Sequence, residues 1–160
     1  MSAIISKCGL YRYSLERRWS QADYFVLWVM LNPSTADATE NDATIRRCIA
    51  FSKAWGYGGL LVGNLYAYRS STPNALWACG DVIGPDNDAY LAELTKRAAH
   101  VVCAWGQRGP IPERRDAVLR ILSARGPVHA LAFTKAGEPR HPLYLPAALK
   151  PEIWTEVWKP

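Results

Sequence analysis

The stretch YFVLWVML, at residues 24–31, is an unbroken run of eight apolar residues, and Asn32-Pro33 follows it directly. A run of this length is typical of a strand that is buried on both faces, as in a parallel sheet. A buried helix is the alternative interpretation, but the short length and the proline disfavour it. We therefore expect residues 24–31 to form a central strand.

Other segments have the composition of strands. Residues 9–19 alternate loosely between apolar and polar side chains, which predicts a peripheral N-terminal strand. C-terminal to the central strand, three apolar segments predict strands at residues 60–68 (LLVGNLYAY), 100–105 (HVVCAW) and 127–133 (PVHALAF).

Amphipathic patterns between these segments predict helices over about residues 43–55, 87–99 and 111–124, the first with Asp42 as its N-cap. Strands and helices that alternate at this spacing predict an α/β fold. We expect a three-layer sandwich around a central four-stranded, mostly parallel sheet. Because there is no internal repeat and no linker, we expect a single domain over residues 1–160.

Composition narrows the classes of function. The formal net charge of +5 favours a polyanionic partner such as nucleic acid, although it also suits ordinary solubility. The four cysteines form no C-x-x-C pair, so we expect free thiols and neither a metal nor another cofactor. No run of 18 apolar residues occurs, so we expect a cytoplasmic monomer that does not enter a membrane.

Polar residues follow each predicted strand. Ligands of open α/β sheets bind at the carboxyl ends of the strands, and these ends share one edge of a parallel sheet. We therefore expect the polar side chains there to converge on one rim. They include Asn32, Ser34, Asn64, Ser70, Gln107 and His141.

Four phrases resemble motifs of the uracil-DNA glycosylase superfamily, in the same order along the chain. They are MLNPSTAD (30–37), LLVGNLYAYR (60–69), VVCAWG (101–106) and HPLYLP (141–146). Nearly the whole chain is also similar to a family known only as domain of unknown function 1643. The phrases LNPSTAD, WGYGGL, NLYAYR, GPDND and RHPLYLP carry this second resemblance, which brings no established activity.

The glycosylase resemblance implies roles for three residues. His141 would donate a hydrogen bond to the leaving base, Asn32 would position the attacking water, and Asn64 would read the base edge. Two departures from the glycosylase pattern, Ser34 and Leu143, stand where those enzymes approach the DNA backbone closely.

Further residues complete the predicted site. Asp37 is our candidate general base, since Asp42 is more suited to capping. Tyr66 and Tyr68 alternate with Asn64 and are candidates for stacking on a base, with core packing as the alternative. The candidate phosphate-binding or DNA-binding residues are Ser34, Thr35, Arg69, Ser70, Lys135 and Arg140.

The sequence thus favours a DNA glycosylase-like hydrolase that cleaves the N-glycosidic bond of a modified or damaged base. Two alternatives stay open: an enzyme that acts on a free nucleotide, nucleoside or modified base, and a non-catalytic nucleic-acid-binding module. Its expected partner is accordingly DNA or a nucleotide.

Overall fold

The computed structural model describes residues 1–78, 80–107 and 111–158. At its centre lies β3 (Phe25–Met30), whose six residues are all buried. β3 pairs in parallel with β4 (Gly59–Asn64) on one side and with β5 (His100–Cys103) on the other. β6 (Val128–Ala130) then pairs in parallel with β5. The four long apolar segments of the sequence therefore lie side by side.

The sheet is larger than the predicted four strands. Within the described residues it has seven, in the order β1-β2-β4-β3-β5-β6-β7, and the outer three pair antiparallel with their neighbours. These are β1 (Ser2–Ile5), β2 (Arg12–Arg18) and β7 (Glu152–Ile153). The predicted peripheral strand is also corrected, because β2 lies between β1 and β4 and is largely buried. Its three arginines give it the pattern of an exposed strand.

Helices cover both faces of the sheet, and the predicted α/β class is confirmed. α1 (Ala43–Ala54) lies on one face, and α3 (Asn87–Arg97) and α4 (Pro112–Leu122) lie on the other. Asp42 caps α1, since its Oδ1 accepts a hydrogen bond from the backbone N–H of Ile45 at 2.8 Å. The short helix α2 (Pro73–Trp77) and a 3-10 turn at Ser123–Arg125 were not predicted.

The alternation of β3 supplies both cores. Leu27 and Val29 pack on the face covered by α3 and α4, whereas Trp28 and Met30 pack on the face covered by α1. Trp28 also donates a hydrogen bond from Nε1 to Ser52 Oγ at 3.0 Å, so its one polar atom is satisfied inside the core.

Two of the expected free thiols, Cys48 and Cys103, are buried, while Cys8 is exposed; Cys79 lies outside the described residues. In the part of the chain that the structure describes, no helix is long and apolar enough to cross a membrane.

The close approach of β4 to its neighbours can be tested at Gly59. A Cβ atom at this position would lie 2.5 Å from Phe25 Cε1 and 2.7 Å from the carbonyl oxygen of Arg17. We expect Gly59→Ala to lower the free energy of unfolding by about 1–3 kcal/mol, measured by urea denaturation. Gly80→Ala is the control, since a Cβ there would meet no atom within 4 Å. Equal effects of the two variants would contradict the packing described.

Candidate functional site

A cavity of about 290 Å³ lies at the carboxyl ends of the parallel strands. Its wall comes from residues at the ends of β3, β4 and β5, the first turn of α1, the loop after β4 and His141. The polar residues of this lining are Arg12, Asn32, Ser34, Asp42, Thr44, Asn64, Ser70, Ser71, Thr72, Gln107 and His141. Asn32, Asn64 and His141, which are far apart in the sequence, thus line one cavity.

Asn32 ties two of the loops together. Its Nδ2 donates hydrogen bonds to the carbonyl oxygens of Ser70, at 2.9 Å, and of Pro33, at 3.1 Å. The backbone N–H of Ser70 in turn donates to the carbonyl oxygen of Pro33 at 2.9 Å. These bonds fix the orientation of the side chain. No donor among the described residues reaches Asn32 Oδ1, so an acceptor is left for a ligand or water.

Asn64 ends β4 and is only 2% exposed. Its Nδ2 is buried and has no hydrogen-bond partner within the described ranges. Its Oδ1 lies 3.5 Å from Arg12 Nη2, at the long limit of a hydrogen bond. A buried donor without a partner costs about 1–3 kcal/mol, so such groups are rare. A hydrogen bond to neighbouring backbone therefore does not compensate for the burial of the Asn64 amide nitrogen.

Arg12 is a member of the site that sequence reasoning missed. It is 2% exposed and donates from Nη1 to the carbonyl oxygen of Ala36 at 2.8 Å. Burial lowers the pKa of its guanidinium to about 10, against the opposing effect of Asp42, so the group stays charged at neutral pH. The sequence gives no signal for it, because an arginine in an alternating strand is typical of a solvent-exposed face.

His141 is half-buried and is held in one tautomer. Its Nδ1 accepts a hydrogen bond from the backbone N–H of Leu143 at 3.3 Å, which assigns the proton of the neutral ring to Nε2. Burial lowers the pKa of the imidazole, and the negative charge of Asp42 partly offsets this by raising it. The ring is thus a neutral hydrogen-bond donor near pH 7.

The segment that carries His141 is anchored to the end of β5. Gly106, at φ +78°, donates from its backbone N–H to the carbonyl oxygen of Pro139 at 2.8 Å. Next to it, Trp105 Nε1 donates to Glu138 Oε2 at 2.7 Å, and Arg115 Nη1 donates to Glu138 Oε1 at 2.5 Å. Glu138 is 8% exposed, and its bond from Trp105 is shielded from water.

Asp37, the predicted general base, does not line the cavity. Its Oδ1 accepts hydrogen bonds from the backbone N–H groups of Glu40 and Thr39, both at 2.9 Å. These bonds lower the pKa of the carboxyl, and the bond from Glu40 has the larger effect. The lower pKa makes Asp37 a weaker base. Asp42 is the carboxylate that the structure places at the cavity.

The two tyrosines proposed for base stacking lie outside the cavity lining too. Tyr66 is fully buried in the core beneath α3 and α4, and its hydroxyl accepts a hydrogen bond from the backbone N–H of Ile111 at 3.0 Å. Tyr68 is half-buried and packs edge-on against Tyr11. The alternation of Tyr66 and Tyr68 with Asn64 requires a continuous strand. β4 ends at Asn64, so the two-residue period does not extend to the two tyrosines.

Only part of the predicted phosphate-binding set reaches the cavity. Ser34 and Ser70 line it, whereas Thr35, Arg69, Lys135 and Arg140 do not. Arg69 donates to the carbonyl oxygen of Gly9 at 3.3 Å instead. Among the described residues, no three His, Cys, Asp or Glu side chains cluster so that they could hold a metal ion.

The fold and the cavity together define an α/β protein with a polar pocket at the ends of its parallel strands. The chain belongs to the family described as protein of unknown function (DUF1643), whose model matches residues 12–143. This match confirms the resemblance of the chain to that family. Neither a curated protein nor a solved structure matches the chain.

The electrostatic coupling of Asp42 to His141 can be measured. In Asp42→Asn we expect the pKa of His141, already lowered by burial, to fall further, because the charge that raises it is removed. NMR titration of the imidazole measures this, and asparagine should preserve the helix cap. Asp23→Asn, at an exposed surface pair with Arg18, is the control and should leave the pKa unchanged. A rise of the His141 pKa in Asp42→Asn would contradict the coupling.

Proposed function

We propose that this protein is a hydrolase of the uracil-DNA glycosylase type, which cleaves the N-glycosidic bond of a modified or damaged base. We also propose that residues 1–160 form a single domain of this type. The meeting of Asn32, Asn64 and His141 at a single cavity is the observation that supports it most. A volume of about 290 Å³ is at the small end for ligand pockets, which suits a base.

His141 is the donor to the leaving base in this proposal. When the bond between the base and the sugar breaks, its electron pair goes to the base, and negative charge develops on an exocyclic carbonyl oxygen. A donor already fixed in place stabilises that charge without reorganisation. The bond from Leu143 to Nδ1 keeps Nε2–H as the donor, so a neutral imidazole can do this work.

Asn32 and Asp42 would orient and deprotonate the attacking water molecule. The free Oδ1 of Asn32 can accept a hydrogen bond from a water molecule and so orient it towards the sugar carbon. Asp42 uses Oδ1 to cap α1, which leaves Oδ2 to accept the proton that the water loses as its oxygen bonds to carbon. Asp42 thereby replaces Asp37 as the proposed general base.

Tyr144 favours DNA over a free nucleoside as the substrate. It is 95% exposed, follows His141 by three residues and adopts φ +66°, which is uncommon for a residue other than glycine. A large aromatic ring held in solvent three residues after His141 can stack on a base next to the extruded one. A free nucleoside has no neighbouring base to contact.

A free nucleotide or nucleoside is the second candidate substrate. One observation favours it: of the basic residues predicted to bind the DNA backbone, Arg69, Lys135 and Arg140 all lie outside the cavity lining. A substrate held by the cavity alone would not need them. Loss of affinity with rising salt distinguishes the two, because it is steep for a protein that contacts several phosphates.

Base release is the direct test. The protein is incubated with a panel of oligonucleotides and nucleosides that carry uracil, other deaminated bases and oxidised bases, and released bases are identified by mass spectrometry. We expect His141→Ala and Asn64→Ala each to lower kcat at least about 100-fold, as loss of a preorganised donor does. His100→Ala, at the opposite end of β5, is the control and should retain activity.

Circular dichroism and thermal unfolding establish that each variant is folded. Release that is insensitive to His141→Ala, or no release from any member of the panel, would reject the proposed hydrolase. Ligand binding kept in His141→Ala without any turnover in the parent protein would instead favour the non-catalytic module.

Tyr144→Ala separates the two substrate classes. We expect kcat/KM on DNA to fall about tenfold, through KM, because one stacked base is lost, while release from a nucleoside is unchanged. Tyr24→Ala is the control, an exposed tyrosine at the amino end of β3. Equal losses on DNA and on the nucleoside would count against a stacking role.

A further inference from the structure

Two buried arginines of β2 differ in how their donors are used. Arg17 donates to Asn41 Oδ1 and to four backbone carbonyl oxygens, so all three of its side-chain nitrogens have partners. Three of these bonds go to the loop that precedes α1. Arg12 is equally buried, yet its Nε has no partner in the described part of the chain. It also takes no part in the ion pairs of the described residues. Arg12 therefore keeps unused donor capacity and an unpaired charge.

Arg12 also orients its neighbour in the cavity wall. Its Nη2 lies 3.5 Å from Asn64 Oδ1, so the amide oxygen faces the guanidinium and the amide nitrogen is left without an acceptor. Asn64 consequently offers a ligand a donor rather than its usual donor and acceptor pair. The Nε2–H of His141 adds a further nitrogen donor to the cavity.

Two acceptor groups of the lining have roles in the proposed mechanism. Asp42 caps α1 with Oδ1 and would take a proton at Oδ2, and Asn32 Oδ1 would orient the water. A ligand edge with an amino group would place donor against donor at Arg12 and Asn64, which leaves buried polar groups unpaired. Asp42 acts on the Arg12 guanidinium without forming an ion pair with it, and a neutral edge would not supply that pair either.

We propose that the buried wall formed by Arg12 and Asn64 binds the edge of an oxygen-rich, negatively charged heterocyclic base in which two acceptor atoms lie side by side. The inference rests on the proposed function in taking the ligand to be a base. The guanidinium of Arg12 donates to one acceptor and supplies the counter-charge, while Asn64 Nδ2 donates to the other. Charge-assisted bonds of this kind are the stronger class of hydrogen bond.

Equilibrium binding of free bases tests this without any turnover. Barbiturate, an anion at neutral pH, and uracil share the pyrimidine ring and differ by one exocyclic oxygen and the charge. Isothermal titration calorimetry of the whole protein should show barbiturate binding at least about tenfold more tightly than uracil. In Arg12→Gln, which keeps a donor and removes the charge, the ratio should fall to about two or less.

Asn64→Asp is the second variant, because a substitution at a buried arginine can impair folding. The new carboxylate keeps the shape of the side chain and can pair with Arg12, so we expect the thermal midpoint to be kept or raised. It removes the Nδ2 donor and opposes an anionic ligand, so barbiturate affinity should fall more than about tenfold. Arg18→Gln, at an exposed arginine of the same strand, is the matched control and should bind barbiturate normally.

Three results would overturn the inference: uracil binding as tightly as barbiturate, a barbiturate preference that survives both variants, or inorganic phosphate competing as well as barbiturate. The last would identify a general anion site. Failure of the proposed function has a different signature, since an Arg12-dependent barbiturate preference without base release rejects only the hydrolase. Base release with no such preference rejects only the ligand class.

Discussion

The parallel pairing of β3 with both β4 and β5 is the constraint on which the cavity depends. In this register Met30 lies beside Asn64, and Val29 lies beside Cys103, so the three strands end nearly level. The segments that follow them then begin at one edge of the sheet, although they are far apart in the chain. A shift of β4 by one residue would move Asn64 to the opposite face, beneath α3.

Level strand ends do not by themselves make a rigid site, and polar contacts between the loops complete it. The bond from Asn32 to Ser70 joins the segments after β3 and β4, and the bond from Gly106 to Pro139 joins the end of β5 to the segment with His141. Glu138 adds a second, buried connection through Trp105. Because these contacts are made between residues of the protein itself, they fix the donors and acceptors of the cavity in place, which is the property that electrostatic catalysis requires.

Local signals account for what could be predicted from the sequence. Apolar runs and helical periods depend on neighbouring residues, so the central strands and three main helices were predicted, and parallel topology then put Asn32 and His141 at one edge. What the sequence did not predict depends on tertiary contacts or on the local ends of strands and turns. Arg12 is buried against Ala36 of the loop after β3 and Asn64 of β4, distant contacts that no pattern within β2 reveals. Tyr66 follows a strand that ends two residues earlier, and Asp37 is used by a turn of its own loop.

The free-energy cost of the unpaired donors in the cavity wall connects the fold to the proposed ligand binding. Each unpaired buried donor costs about 1–3 kcal/mol, against a net stability of about 5–15 kcal/mol for a typical domain. Arg17 shows that β2 can bury an arginine with its hydrogen bonds satisfied, so the unpaired Nε of Arg12 is not an inevitable consequence of its strand. A wall that served only the sheet would be better built from apolar side chains of the same volume. Unpaired donors are instead useful where a ligand supplies the acceptors, because the energy lost in folding is then recovered as binding energy and selectivity.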